Sequence, residues 1–382
     1  MAGGKRMKIT FMGAGACGFI GAAHCASLGH DVTLYELPEF AQSLEGVRAA
    51  GGIVVDATPG NGLPDGFVSV SKFTTDAAEA LAEAEVVFVT VPSFGERRLA
   101  ELCAGYLRED QYVYLTSGYV YGSLEFLGAL RACGHDAPVH VAEMNNSIYA
   151  GAKLDAVSVR AGGYKHGLGV AAFPGRETGV MVEKLRELYP EVVPFESIAV
   201  TGISNPNAAL HPIAVLFNAP YVERGVEVLL YHDKEHLAAM SEAVCGVYEA
   251  MDTERLALRD RAGFSSLKPW REIFRDWYAY NGACGETLLE IMKSNPGLAR
   301  AKLPASFDHR YVTEDVTAGL LPLIELLERF GISCSTNRSV AHLSSVLSGI
   351  DLASDGRTLR SLGLGDLPTE DLLNYLHTGV AG

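Results

Sequence analysis

The chain has 382 residues, enough for two domains with separate cores. Hydrophobic residues make up 48% and charged residues 20%, the balance of an ordinary globular protein. A net charge of −15 argues against nucleic acid and anionic membrane surfaces as partners, and no apolar run reaches the roughly 18 residues of a membrane span. No signal peptide is expected, and Met7 is a second candidate start that leaves residues 1–6 outside the fold reading. Cys17, Cys25, Cys103, Cys133, Cys245, Cys284 and Cys334 form no CxxC pair, which reads as free thiols in a cytoplasmic protein.

Residues 8–12 form a β-branched and aromatic run that predicts a strand. It leads into Gly13-Ala14-Gly15-Ala16-Cys17-Gly18, then a small-residue helix pattern through Gly21, Ala22, Ala23 and Ala26. A second strand at 31–35 ends in Glu36. Gly13 permits the tight turn, Gly15 lets a pyrophosphate approach the backbone, and Gly18 allows close helix–sheet packing. The helix start offers orphan N–H groups and a positive dipole end to phosphates. Glu36, 18 residues past Gly18, stands where a carboxylate holds the adenosine ribose hydroxyls. Strand, turn, helix, strand and acid in this order predict a dinucleotide site along residues 13–18 and Glu36. Glu36 would repel a 2′-phosphate, and Leu37-Pro38 offer no arginine to receive one, so NAD is expected over NADP. A packing role is expected for Cys17, which fits the turn because it is small.

Strands are expected next at 52–55 and 68–71, separated by a Gly/Pro-rich stretch at 58–66, and a helix at 75–83. The continuous apolar run at 86–92 reads as a strand buried on both faces. Further strands at 112–115 and 139–141 alternate with helices, giving an α/β Rossmann domain with a doubly wound parallel sheet. Pro92, Ser93, Ser117 and Gly118 fall at the carboxyl ends of strands and are expected beside the nicotinamide half of the cofactor. β character at 157–172 and a helix at 177–188 extend this domain, taken as residues 1–200.

From Asn207 onward the period is mostly helical, so residues 201–382 are expected to form an all-α C-terminal domain. A long helix is expected over 234–261, with others at 269–278, 285–293, 314–330, 337–349 and 368–377. Such a pair of domains implies a substrate cleft between them.

Hydride transfer at a carbonyl or imine carbon needs an acid/base group, a group that orients it, and a cation for a substrate carboxylate. His211 sits among Ser204-Asn205-Pro206-Asn207 and Pro212 at a helix entry, where the asparagines also read as caps and the histidine as an interior one. Pro322 cannot lie deep in a helix, so a short helix near Thr313 and a second from Pro322 are expected. Thr313 would then be an N-cap with Glu314 and Asp315 in the first turn, and Arg310 an ion-pair partner or a substrate anchor. No His, Cys or Asp cluster has metal-ligand spacing, so no metal is expected. Trp277 and Tyr278 are candidates for a substrate pocket or for core.

The glycine turn, the 207–212 segment and the run from Arg310 to Leu320 together resemble the opine dehydrogenase family, which includes the octopine and nopaline dehydrogenases. The resemblance spans about residues 8–350. It implies a reductive condensation of a 2-oxo acid with the amino group of an amino acid or amine, through an imine reduced by NAD(P)H. It also implies His211 as general acid/base, Asp315 as its orienting carboxylate and Arg310 as the oxo-acid anchor. Glu143 and Asn207, with Trp277, would lie toward the substrates, although Glu143 reads equally as a structural acid pairing the backbone. Asn145-Asn146-Ser147 depart from the family's Thr- and Pro-containing version, which leaves the amine donor open. A histidine with the usual pKa near 6.5 can shuttle protons at neutral pH, and arginine's planar fork matches a carboxylate. Two alternatives are weighed. A ketopantoate reductase or hydroxyacid dehydrogenase would use a lysine early in the helical domain, and none occurs between 189 and 233. A non-catalytic NAD-binding sensor would need no acid/base pair. A homodimer is expected.

Overall fold

The computed structural model describes residues 5–232 and 238–380. The chain divides into two units, Met1–Gly118 with Gly122–Ile198, and Tyr119–Tyr121 with Ala199–Gly382. Tyr119–Tyr121, which chain order puts in the Rossmann domain, therefore count with the helical unit.

The strands of the first unit are β1 (Lys8–Met12), β2 (Asp31–Tyr35), β3 (Gly52–Ala57), β4 (Gly66–Ser69), β5 (Lys72–Thr74), β6 (Val86–Val89), β7 (Tyr112–Leu115), β8 (His140–Met144), β9 (Tyr149–Lys153), β10 (Ser158–Tyr164), β11 (Gly169–Phe173) and β12 (Val193–Pro194). Among the described residues they form an eight-stranded sheet in the order β12-β11-β8-β7-β6-β1-β2-β5 and a separate sheet β4-β3-β10-β9. The first is the expected Rossmann sheet. β1 lies parallel to β2 and β6, and every residue of β6 is buried, as its unbroken apolar sequence requires. One departure is β11, which runs antiparallel to β8. The second sheet departs further, because 52–57 leaves the main sheet to pair with 158–164, and 66–69 pairs with 52–57. Local sequence sets a strand but not which sheet accepts it.

The helix Ala16–Ser27 follows β1, and its small residues explain where it lies. A Cβ on Gly21 would fall 2.3 Å from the Phe11 ring, so only glycine lets the helix settle onto β1 here. Phe11 in turn stacks on Phe88 with ring centroids 4.9 Å apart. Gly18 packs against the turn itself rather than the sheet, since its Cβ would meet the Gly13 carbonyl oxygen at 1.9 Å.

The second unit is helical, with the longer helices at Asn207–Leu216, Glu242–Leu256, Trp270–Tyr278, Leu321–Arg329, Ser335–Ser348 and Thr369–Thr378. The helix expected over 234–261 starts at Glu242, where Ser241 caps it by accepting from Val244 N–H, and it breaks before Leu258–Ala262. Its expected start, Lys234, lies outside the described residues. Arg255, fully buried, ion-pairs with Asp252 and lies over the Trp270 ring, fixing the 242–256 helix against the 270–278 helix.

Asp315 sits where helix geometry changes. Arg310–Glu314 is one α-helical turn, Asp315–Leu320 a π-helical stretch, and Leu321–Arg329 α-helix again, in one continuous run. Pro322 is tolerated because it stands in the first turn after the wider π stretch. The expected N-cap at Thr313 is therefore replaced by His309, whose Nδ1 accepts the Tyr311 N–H at 3.2 Å. Glu314 and Asp315 close the first α-helical turn rather than opening it.

Among the described residues, no helix is long and apolar enough to cross a membrane.

Candidate active site

The helical unit gathers the acid/base candidates. His211 sits in the first turns of the Asn207–Leu216 helix, with Pro212 after it inside the helix. Its Nδ1 lies 2.9 Å from Asp315 Oδ2, and both side chains are nearly or fully buried. Tyr311, four residues before Asp315, stacks flat on the imidazole with centroids 3.7 Å apart and 14° between planes. Residues four apart on a helix share a face, so this one element grips the ring by its face and by its edge. With Nδ1–H donated to the carboxylate, Nε2 is the nitrogen left to carry a proton. A π-helical stretch commonly marks a functional site, and here it also brings the elements together. A Cβ on Gly319 would stand 2.6 Å from the Ala208 Cβ, so glycine is what lets the π stretch lie against the His211 helix.

Asp315 has a second donor. The Tyr119 hydroxyl donates to Oδ1 at 2.9 Å, so both carboxylate oxygens are satisfied. Burial, then the carboxylates of Asp315 and Glu314, hold the Tyr119 phenol well above its usual pKa, which keeps it a donor.

Arg310 donates from Nε to Glu314 Oε2 at 2.6 Å, and the Glu314 side chain is fully buried while that of Arg310 is half-exposed. Desolvation opposes the guanidinium charge, but Glu314, Tyr119 and Asp315 more than offset it and raise its pKa further. The terminal nitrogens of Arg310 make no hydrogen bond among the described residues. Glu314 thus fixes the stem of Arg310, the residue expected from sequence as an oxo-acid anchor.

Asn207 lies one turn before His211 on the same helix. Its backbone N–H donates to Asn205 Oδ1 at 3.1 Å, just ahead of the cap position at Pro206, and its side-chain amide makes no hydrogen bond among the described residues. Trp277 and Tyr278, open to a pocket or a core reading, are 1% and 2% exposed, and Trp277 packs edge-on against Phe274. Glu143, at the end of β8, is fully buried, and its Oε2 accepts from Ser123 N and Oγ at 2.8 Å each. It therefore caps the start of the Gly122–Ala132 helix, the structural role for such an acid.

In the first unit, the glycine turn fits a dinucleotide. Gly13 takes φ +123°, a conformation that favours glycine, and Thr90 Oγ1 donates to its carbonyl oxygen at 2.8 Å. A Cβ on Gly15 would meet nothing within 4 Å, so the turn is packed on its strand side and open on the side a phosphate would take. The helix after it has no side-chain cap at its start, which leaves those N–H groups for an anion. Glu36 is buried and held by Ala14 N–H at 2.9 Å and Leu37 N–H at 2.8 Å, with Ser43 Oγ at 3.4 Å. Each carboxylate oxygen accepts two hydrogen bonds, so Oε1 retains capacity for a ribose hydroxyl. Ser93 is buried at the start of the Ser93–Cys103 helix, with Pro92 at its cap position. Cys17 faces Thr116 Oγ1 at 3.9 Å, and burial pushes its thiol pKa up, in line with packing.

A family model described as NAD/NADP octopine/nopaline dehydrogenase, alpha-helical domain, matches residues 194–348. Another, described as NAD-dependent glycerol-3-phosphate dehydrogenase N-terminus, matches residues 8–127. The opine dehydrogenase of Arthrobacter sp. (strain 1C) is 29% identical over 357 residues, 93% of this chain and 95% of that protein. The chain is thus similar to an opine dehydrogenase over nearly its whole length, and its helical part matches the octopine/nopaline dehydrogenase helical-domain model. Its fold is similar to that of octopine dehydrogenase solved with NADH and L-arginine, at a TM-score of 0.74 and 16% identity, covering 98% of this chain and 99% of the other. The octopine dehydrogenase structure with NADH and pyruvate gives a TM-score of 0.71 at 17% identity with the same coverage.

Within this opine dehydrogenase fold, sequence reasoning missed three residues. Tyr311 stood in the quoted motif, and its spacing of four from Asp315 was the available signal. Tyr119 carried none, because it reaches Asp315 across 196 positions of sequence. Lys153, on β9, donates to the Ala14 carbonyl oxygen at 3.2 Å and lies over the Phe19 ring, which adds a cation beside the glycine turn.

Proposed function

We propose that this protein is an opine dehydrogenase: it joins a 2-oxo acid such as pyruvate to the amino group of an amino acid or amine, reduces the imine with NADH, and runs the reverse oxidation. The observation that carries the reading is the buried His211–Asp315 pair with the Arg310 fork presented from the same helical run. NADH, when bound, supplies the hydride. The Gly13–Gly18 turn holds its pyrophosphate, Glu36 its adenosine ribose, and Pro92 and Ser93 border its nicotinamide half. NAD is favoured because Glu36 repels a 2′-phosphate.

The chain's own residues then divide the work. Arg310 binds the oxo-acid carboxylate through two parallel N–H donors, with Glu314 holding the guanidinium plane. His211 Nε2 gives and takes the proton at the reacting oxygen or nitrogen, and Asp315 holds the tautomer and supports the imidazolium, as in other His–Asp pairs. The free amide of Asn207, one turn away, meets the substrates. The amine donor is the least defined, since Glu143 is engaged in capping and Trp277 is core. The reading includes a cytoplasmic homodimer, supported by seven free cysteines for the compartment and checked by light scattering for the assembly.

The test is NADH oxidation with pyruvate, with and without a panel of amino acids. Oxidation only in the presence of an amine supports the reading. NADH oxidation with the oxo acid alone would make the enzyme a ketopantoate reductase or hydroxyacid dehydrogenase type. No oxidation with any pair would leave an NAD-binding sensor.

A further inference from the structure

Tyr119 takes φ +51° and Tyr121 φ +66°, the positive-φ non-glycine residues among those described. A side chain in this region is strained and persists only where the surroundings impose it. The surroundings do so closely. A Cβ on Gly202 would stand 2.4 Å from both the Tyr119 carbonyl oxygen and the Val120 Cα. A Cβ on Gly319 would stand 3.2 Å from Tyr119 Cδ1. Val120 N–H donates to the Ala318 carbonyl at 3.1 Å, inside the same π stretch that Asp315 begins. Two glycines and a backbone hydrogen bond thus fix a strained residue, and its hydroxyl is delivered to Asp315 Oδ1 at 2.9 Å.

We propose that Tyr119 is a positioning residue for the acid/base pair, holding Asp315 in the single rotamer that presents Oδ2 to His211. A buried carboxylate with one oxygen unpaired carries an unsatisfied polar atom and is free to turn away from its other partner. The Tyr119 hydroxyl satisfies Oδ1 and blocks rotation of the carboxylate, because its two oxygens are then held by different elements. The argument rests on the His211–Asp315 reading above.

The test is Tyr119→Phe, which removes one oxygen. A hydrogen bond to a charged group supports a loss of about tenfold in kcat, with KM for the oxo acid and Kd for NADH little changed. In an Asp315→Asn background the same substitution has no further effect, because the group through which it acts is gone. The Nδ1–H proton resonance of His211 shifts in Tyr119→Phe, a readout that needs no turnover. If the phenylalanine variant is unstable, 3-fluorotyrosine at 119 keeps the ring and donor and moves the same resonance. An unshifted resonance, or losses that multiply independently in the double variant, overturns the proposal. A wild-type protein without turnover but with the resonance shift overturns the assigned reaction and leaves the positioning role standing.

Discussion

Gly15→Ala separates a cofactor site from a glycine kept for folding. Gly15 has φ −76° and ψ −172°, a conformation open to alanine, and its Cβ would meet nothing within 4 Å. Folding should therefore be unharmed, with a gain of up to about 0.4–1 kcal/mol from the less flexible unfolded chain. Binding should suffer, because the new methyl stands where a phosphate must touch the backbone at the helix start. One methyl forced into a filled contact costs about 1–3 kcal/mol, which corresponds to a Kd for NADH raised about 5- to 150-fold. Gly18→Ala is the contrast. Its Cβ would lie 1.9 Å from the Gly13 carbonyl oxygen, a backbone atom that cannot swing away, so it loses stability as well as binding. Urea unfolding and calorimetric NADH titration read the two quantities separately. A Gly15→Ala protein that binds NADH like the wild type would refute the placement of the pyrophosphate. One that unfolds would refute the claim of open space.

Arg310→Lys keeps the charge but loses the fork, so KM for the oxo acid should rise about 10- to 100-fold, the equivalent of one charge-assisted hydrogen bond, with kcat changed much less. An unchanged KM in steady-state kinetics would remove Arg310 from carboxylate binding. Glu36→Gln should weaken NADH and narrow its advantage over NADPH, since the repulsion of a 2′-phosphate is gone; equal selectivity in the variant counts against the ribose contact. His24, buried against the Tyr149 hydroxyl at 3.0 Å, has its pKa pushed down to about 4, first by burial and then by His30. Its folded pKa is below its unfolded value near 6.5, so the unfolded chain binds the proton first and stability falls as pH drops from about 6.5 to about 4. The loss attributable to this group is about 3 kcal/mol across that window, and His24→Gln should flatten the pH dependence of urea unfolding by that order. An identical slope in the variant contradicts it.

The dinucleotide site was legible in sequence because it is local: turn, helix and acid lie within residues 13–36, and each glycine's role follows from the backbone conformation it must adopt. The acid/base pair was legible only in outline. His211 and Asp315 lie 104 positions apart, and spacing alone left both open to structural readings until the familiar motifs joined them. The helix start was misplaced for a physical reason. Pro322 signals a break, but a π stretch absorbs it without ending the helix, and a widened turn has no simple sequence signature. The second sheet escaped for a related reason, since strand propensity does not choose partners. Glu143 and Trp277 were read toward the substrates, and burial gives each a structural occupation, in a helix cap and in the core.

The most direct measurement of the central claim is the mass of the product formed from NADH deuterated at the nicotinamide C4 with pyruvate and an amino acid. The account predicts a secondary-amine dicarboxylate, carrying one deuterium on the former keto carbon and formed only when both substrates are present. Deuterium in a 2-hydroxy acid, with the amine unused, would contradict it.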